Sequence, residues 1–192
     1  MSKNRIKEIT VVSVMGALGF ILMALEFPIS FLIPSFVKFD FSELPALITS
    51  FALGPIQGVL VCLIKNLLHL ALSSSAGVGE LSNFILGAIF TSTAGVIYRF
   101  NKSRKGALLG CISGAAAMAV VSVASNYFIV YPFYTALMPE QAIVSAYRLL
   151  LPFSDTLLKC LLIFNMPFTF FKGLVDTAIC FLIYKRISHI LH

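Results

Sequence analysis

The stretch FNMPFTFFKGLVDTAICFLIYKR (residues 164–186) decides the fold class of this chain. Its apolar run is close to the roughly 20 residues that a helix needs to cross a bilayer. It nevertheless contains Lys172 and Asp176, four residues apart and well inside the run. Ionisable side chains at membrane depth usually face a polar cavity or each other. The stretch therefore predicts a membrane helix with one polar face, on which Asp176 holds Lys172 by an ion pair.

The whole chain has the composition of a polytopic membrane protein. Of its 192 residues, 59% are hydrophobic and 11% are charged, whereas a soluble domain is about 45–50% apolar and about 25% charged. We predict an all-α integral membrane protein, a single membrane domain over residues 1–192 with six transmembrane helices. They are expected at residues 9–25, 42–53, 56–72, 81–98, 106–131 and 167–187. The second is only about 18 Å long, short of the bilayer core of about 30 Å.

The basic residues predict the orientation of the chain in the membrane. Nine of the 14 lysines and arginines fall within three clusters, at residues 3–7, 99–105 and 185–186. With six helices all three clusters lie on one side, which the positive-inside rule makes the cytoplasmic side. We therefore expect a multi-pass protein of the cell membrane with both termini in the cytoplasm. The net charge of +6 is explained by these clusters, so we expect no nucleic-acid partner.

Polar residues gather at the predicted outer ends of the helices. The polar residues at the outer ends of the third to sixth helices are Lys65, Asn66, His69, Glu80, Asn83, Asn126, Asn165 and Lys172. A single asparagine in a membrane helix usually makes an interhelical hydrogen bond, and that alternative stays open for each residue. A group drawn from four helices instead favours a substrate pocket. The proline-interrupted loop before the short second helix is expected to cap this pocket from outside.

Small residues form rows on two helices. Gly106, Gly110 and Gly114 are spaced by four, which places them on one helix face and favours internal packing against a neighbouring helix. Ser13 and Ala17 form a similar row on the first helix. For that row, internal packing and the docking of a partner protein both remain possible. The four cysteines lack metal-ligand spacing, and no metal site is expected.

Several stretches together resemble the riboflavin-specific S components of energy-coupling factor (ECF) vitamin transporters. They are EFPI (26–29), KFDFSELPALI (38–48), GPIQGVLVCLIKNLLHL (54–70), GELSNFILGAIF (79–90), SNYFIVYPFY (125–134) and PFTFFKGLVDTAICFLIYKRIS (167–188). The resemblance implies a six-helix protein in the cell membrane that captures riboflavin from outside with high affinity. It also implies three partners: a transmembrane coupling protein and two cytoplasmic ATPase subunits, which supply the energy for uptake.

The resemblance also implies which residues act. By position in the motifs, the flavin contacts are Phe39, Asp40, Asn83, Asn126, Asn165 and Lys172, and the coupling protein docks at Ser13 and Ala17, where the family has two alanines. The chemistry of the ring adds aromatic residues. Tyr131 is expected to pack on the flat isoalloxazine face, as are Tyr127 and Phe39, while asparagine amides donate to and accept from its polar edge.

Other functions are weaker readings of the same residues. No catalytic triad, paired catalytic carboxylates or P-loop is present in the sequence, so we expect no enzyme. The predicted inner half is almost purely apolar, which disfavours a stand-alone flavin facilitator or channel. An S component for another vitamin is the closest rival. Riboflavin and its phosphate FMN remain alternatives as transported substrate, and no cofactor is expected.

Overall fold

Helices make up nearly all of the described chain. The structure, a computed structural model, describes residues 3–34, 37–135, 139–150 and 156–191. The helices are α1 (Lys3–Ala24), α2 (Glu43–Ala52), α3 (Pro55–His69), α4 (Val78–Phe100), α5 (Arg104–Ser125), α6 (Tyr131–Thr135), α7 (Glu140–Arg148), α8 (Leu157–Cys160) and α9 (Met166–Leu191). Two short strands, β1 (Phe27–Pro28) and β2 (Lys38–Phe39), pair antiparallel in the α1–α2 connection.

In the described part of the chain, five helical segments are long and apolar enough to cross a membrane. They are Asn4–Ala24, Pro55–Leu72, Val78–Phe100, Arg104–Thr135 and Leu157–Ile183. The predicted count of six included α2, whose 10 residues span about 15 Å. We call the end of the bundle that carries residues 25–34, 37–42 and 73–77 the pocket end. The end that carries residues 101–103 is the basic end.

The short helix α2 lies inside the bundle. Its residues 43–50 are all buried, and it packs against α1, α3, α4 and α9. A helix end at membrane depth is tolerated where neighbouring protein surrounds it, which is why α2 can stop midway. Gly54 then reverses the chain with a φ of 124°, a conformation that suits glycine. Pro55 follows as the first residue of α3, where its missing N–H is not needed.

The last two spans are longer than the sequence predicted. The helix expected to end at residue 131 continues through a π turn (Asn126–Val130) into α6. The helix expected to start at residue 167 begins at α8 and continues through a second π turn (Leu161–Asn165) into α9. Each π turn is followed by one residue and a proline, Pro132 or Pro167. The widened turn accommodates a ring that would otherwise clash within a regular helix, so neither proline ends its helix.

Small residues let α4 and α5 approach closely. A Cβ atom on Gly110 would lie 2.7 Å from the carbonyl oxygen of Ala94, and one on Gly114 would lie 2.7 Å from that of Phe90. The predicted internal packing of this row is confirmed for these two glycines. Ser13 and Ala17, in contrast, are exposed on α1, so the structure excludes internal packing for that row.

Candidate functional site

A cavity of about 190 Å³ opens at the pocket end, between α1, the 37–40 segment, α2, α4, α5 and the last helix. Six of the seven residues predicted to bind substrate line it: Asp40, Asn83, Asn126, Tyr131, Asn165 and Lys172. They come from one loop and three membrane spans. The structure therefore brings distant parts of the sequence together around one polar space.

The seventh predicted residue, Phe39, lies beside the cavity. It is 3% exposed and packs in a cluster of aromatic rings, with its ring centroid 6.0 Å from that of Phe168 and 5.2 Å from that of Phe41. Phe168 itself lines the cavity. Phe39 thus anchors the loop through Phe168. Tyr127 is 41% exposed and is not among the residues that line the cavity, because it lies on another face of its helical turn from Asn126.

Lys172 is bound by Asp40, which differs from the predicted pairing with Asp176. The Lys172 Nζ lies 2.8 Å from Asp40 Oδ2, and the backbone N–H of Ser42 donates to Asp40 Oδ1 at 2.8 Å. Burial alone would raise the pKa of the Asp40 carboxyl, but the ammonium groups of Lys172 and Lys65 outweigh it and hold that pKa well below its usual range. Both carboxylate oxygens of Asp176 are buried with no hydrogen-bond partner in the described part of the chain.

A second buried ion pair lies next to the first. Lys65 is fully buried, and its ammonium group donates to Glu43 Oε1 at 2.7 Å, to Asn83 Oδ1 at 2.8 Å and to Ser42 Oγ. These three bonds use all three donors of the ammonium group. Glu43 is 2% exposed, so the pair is shielded from water. It holds Asn83 in place, with the amide nitrogen of Asn83 left to donate into the cavity.

The loop after α3 is tied to the rim of the cavity by Glu80. The Glu80 carboxylate lies 2.9 Å from His69 Nδ1 and accepts from the hydroxyls of Ser73 at 2.8 Å and Ser75 at 3.2 Å. All these contacts join α3, its following loop and the start of α4. On the other side of the rim, Lys38 pairs with Glu26. Each of these charged side chains at the rim therefore has a hydrogen-bond or ion-pair partner.

Asn165 receives a hydrogen bond from outside the predicted set. The Tyr147 hydroxyl donates to Asn165 Oδ1 at 2.7 Å and also contacts the hydroxyl of Tyr131. Burial raises the pKa of Tyr147, as does the neighbouring Tyr131, so Tyr147 stays a neutral donor. With its oxygen occupied, Asn165 is left with its amide nitrogen as a donor, and that side chain also interacts with the Tyr131 hydroxyl. The amide of Asn126 is half-buried and has no hydrogen-bond partner among the described residues, so it is available both to donate and to accept.

Sequence reasoning missed several members of this site. Glu43 was not among the predicted site residues, although a carboxylate beside a lysine-bearing helix was the available signal. Tyr147 lies outside all six predicted helices. Its burial in α7, at 0% exposure, gave no signal detectable in the sequence. Among the described residues no group of histidine, cysteine, aspartate and glutamate is arranged to hold a metal ion.

Comparison with known proteins places this architecture in a family. The model of the substrate-specific component of ECF transporters matches residues 7–184. Over 186 residues the chain is 32% identical to the riboflavin transporter RibU of Staphylococcus aureus (strain TCH60), covering 96% of this chain and 92% of that protein. Over 188 residues it is 33% identical to the riboflavin transporter FmnP of Bacillus subtilis (strain 168), covering 96% and 93%.

A solved structure agrees with the family match. The S component of a bacterial ECF transporter is similar to this chain with a TM-score of 0.77 and 30% sequence identity, covering 97% of this chain and 98% of the other. The sequence match and the structural match thus extend over nearly the whole length. This chain therefore belongs to the family of substrate-specific components of ECF transporters.

Proposed function

We propose that this chain is the riboflavin-binding subunit of an ECF-type uptake transporter. The observation that carries the proposal is the convergence of three asparagines and Lys172 on a single cavity in a chain whose relatives are named riboflavin transporters. The cargo is riboflavin or FMN, held as a transported substrate. The subunit captures it from outside and delivers it inward with energy from partner ATPases.

The cavity suits the polar edge of a flavin. The amide oxygen of Asn83 is occupied by Lys65, so its N–H groups are available to the bound molecule. Asn165 accepts from Tyr147 and also interacts with Tyr131, so it has one N–H group left to donate. Carbonyl oxygens on the isoalloxazine ring are the matching acceptors. Asn126 serves groups that donate as well as accept. The ring face is expected to lie against Tyr131 and Phe168, which line the same space.

Binding requires the cavity to widen. Its volume of about 190 Å³ is below the roughly 300–1,000 Å³ of small-molecule sites. Outside the helices the wall is formed by Glu26, Ser74, Ser75 and the 37–40 segment. The Lys172–Asp40 and Lys38–Glu26 pairs hold the 37–40 segment. We propose that this segment is the cap of the pocket. It moves outward to admit the flavin, after which Lys172 contacts the cargo.

The same proposal sets the topology and the partners. In this proposal α2, short and shielded by its neighbours, raises the number of membrane helices to six. Both termini lie in the cytoplasm of a multi-pass cell-membrane protein. A transmembrane coupling protein and two cytoplasmic ATPase subunits complete the transporter. The exposed small residues Ser13 and Ala17 on α1 offer the coupling protein a face on which helices can approach closely. The subunit carries out no chemistry on its cargo.

Quenching of riboflavin fluorescence by the purified protein in detergent tests this proposal. We expect saturable quenching by the unaltered chain and a loss of affinity of at least about tenfold in Asn126→Ala, since a buried hydrogen bond to a ligand contributes about 0.5–1.5 kcal/mol and an unpaired polar group costs more. The matched control is Tyr127→Ala, the neighbouring exposed residue, which should bind normally. Competition by FMN shows whether the site accepts the phosphate.

Two outcomes contradict the proposal. Absence of quenching by protein that elutes as a single folded species rules out riboflavin as the cargo. Equal affinities for Asn126→Ala and Tyr127→Ala rule out the assigned site and leave the cargo in place.

A further inference from the structure

A second cavity lies at the basic end, opposite the pocket. It has a volume of about 510 Å³ and is formed by the end of α2, the end of α4, the α4–α5 connection and the middle of α9. We call it the basic cleft. Lys102 and Arg104 line it together with Phe51, Tyr98, Phe181 and Leu182. A neighbouring cavity of about 390 Å³ shares Phe51, Tyr98 and Lys102 with it and adds Arg99.

The cations of the basic cleft differ from those at the pocket end. There, Lys38, Lys65 and Lys172 each pair with a carboxylate. Lys102 and Arg104 are exposed and form no ion pair within the described residues. None of the described acidic residues lines either cavity at the basic end. This concentration of positive charge without acidic partners is complementary to an anion.

Most of the other residues that line the cleft are apolar, and one of them lies at the membrane-facing surface. Leu182 is 76% exposed at the end of the last membrane span, which reaches Ile183. The ring of Tyr98 packs on that of Phe51 with 4.9 Å between centroids, and tyrosine is typical of the boundary between lipid and water. A soluble anion would gain no binding energy from these apolar side chains. A molecule with a charged head and hydrocarbon chains would contact both the cations and the apolar side chains.

We propose that the basic cleft binds an anionic phospholipid. Lys102 and Arg104 hold its phosphate, and an acyl chain lies along Phe181 and Leu182. The N-terminus of α5 adds attraction for the phosphate, because the dipole of this 22-residue helix is positive there. Basic pockets between membrane helices are known to take anionic lipid head groups. The positive-inside rule alone explains cations in this connection, but it requires no cavity with an apolar wall.

Thermal unfolding in detergent micelles doped with lipid tests the site. All four cysteines are buried, so a thiol-reactive dye reports unfolding. Dioleoyl phosphatidylglycerol should raise the unfolding temperature more than dioleoyl phosphatidylcholine, and half-saturation is read from a lipid titration. One cation near an anionic lipid strengthens binding about fivefold, so losing two should shift half-saturation about thirty-fold. We expect that shift in Lys102→Gln/Arg104→Gln.

The control is Arg5→Gln/Lys159→Gln, which removes the same charge from exposed positions outside the cleft and should leave half-saturation unchanged. Leu182→Gln should weaken the response to phosphatidylglycerol as well. Equal shifts in the two double variants, or an equal response to phosphatidylcholine, would overturn the lipid site. Inorganic phosphate giving the same stabilisation would show a soluble-anion site and also overturn it. The cargo is absent throughout, so the outcome is independent of riboflavin binding.

Discussion

Replacement of Lys172 by methionine tests whether the loop-to-helix ion pair stabilises the pocket end. The Lys172 and Asp40 side chains are 11% and 4% exposed, so the pair belongs with buried pairs and not with surface pairs, whose contribution is only about 0–1 kcal/mol. Removing one member of a buried pair costs about 3–5 kcal/mol because the other charge is left without compensation. For a chain of this length that is a fall of about 6–20 °C in unfolding temperature.

The dependence on pH gives a sharper signature. In the unaltered protein the pKa of Asp40 is lowered below its unfolded value, about 3.9. Its contribution to stability is therefore complete above that value and is lost as the pH falls through the folded pKa. In Lys172→Met, burial without the ammonium group should raise the pKa of Asp40. The difference in free energy of unfolding between the unaltered protein and Lys172→Met should then become smaller as the pH falls from 7.5 to 4.5.

The assay is thermal unfolding followed by the loss of helical circular dichroism between pH 7.5 and pH 4.5, without flavin. Asp40→Asn/Lys172→Met should recover at least about 2 kcal/mol of the loss, because no charge is left unpaired. Lys159→Met, at an exposed lysine, should change stability by less than about 0.5 kcal/mol. A Lys172→Met protein as stable as the unaltered one at neutral pH, or a gap that widens on acidification, would refute the reasoning.

Three further changes test the packing, the buried acid and the docking face. Asp176→Asn should lower the free energy of unfolding by less than about 1 kcal/mol or raise it, since the Asp176 carboxylate has no described hydrogen-bond partner. A loss above about 3 kcal/mol in the same assay would indicate that the carboxylate has such a partner. Gly87→Ala should lower the free energy of unfolding by about 1–3 kcal/mol, because its Cβ would lie 2.3 Å from Glu43 Oε2. Ser92→Ala on the same helix should cost less. Similar losses for the two variants would argue against the close contact at Gly87. Ala17→Leu, at an exposed position, should keep riboflavin binding but abolish copurification with the coupling protein, and normal copurification would rule out this face of α1.

The sequence alone was sufficient to determine the class of the protein and to predict that its candidate site residues lie at one end of the bundle. Hydropathy, helix length and the clustering of basic residues are properties of short segments, and they predicted the membrane helices and the short α2. The same helix boundaries placed Asn83, Asn126, Asn165 and Lys172 at one end of the bundle, and all four line one cavity. Local signals sufficed there because depth along a helix follows from counting residues at 1.5 Å each.

The prolines show where local signals fail. The predicted helix boundaries at residues 131 and 167 lie at or next to Pro132 and Pro167, because proline disrupts a regular α-helix. In the structure each follows a π turn, and the backbone N–H of Tyr131 or Met166 reaches back five residues to Asn126 or Leu161. Whether a helix absorbs a proline in this way depends on the packing of the surrounding spans. That information is absent from the segment itself.

The choice of charge partner was decided by tertiary structure. Sequence spacing favoured Asp176, one turn from Lys172 on the same helix face, yet the lysine pairs with Asp40, 132 residues away in the chain. In the same way Lys65 on α3 pairs with Glu43 on α2. A buried ammonium group is stabilised by whichever carboxylate and hydroxyl oxygens the fold brings within hydrogen-bond distance. Folding determines which oxygens those are, because helices far apart in sequence meet only when the bundle packs.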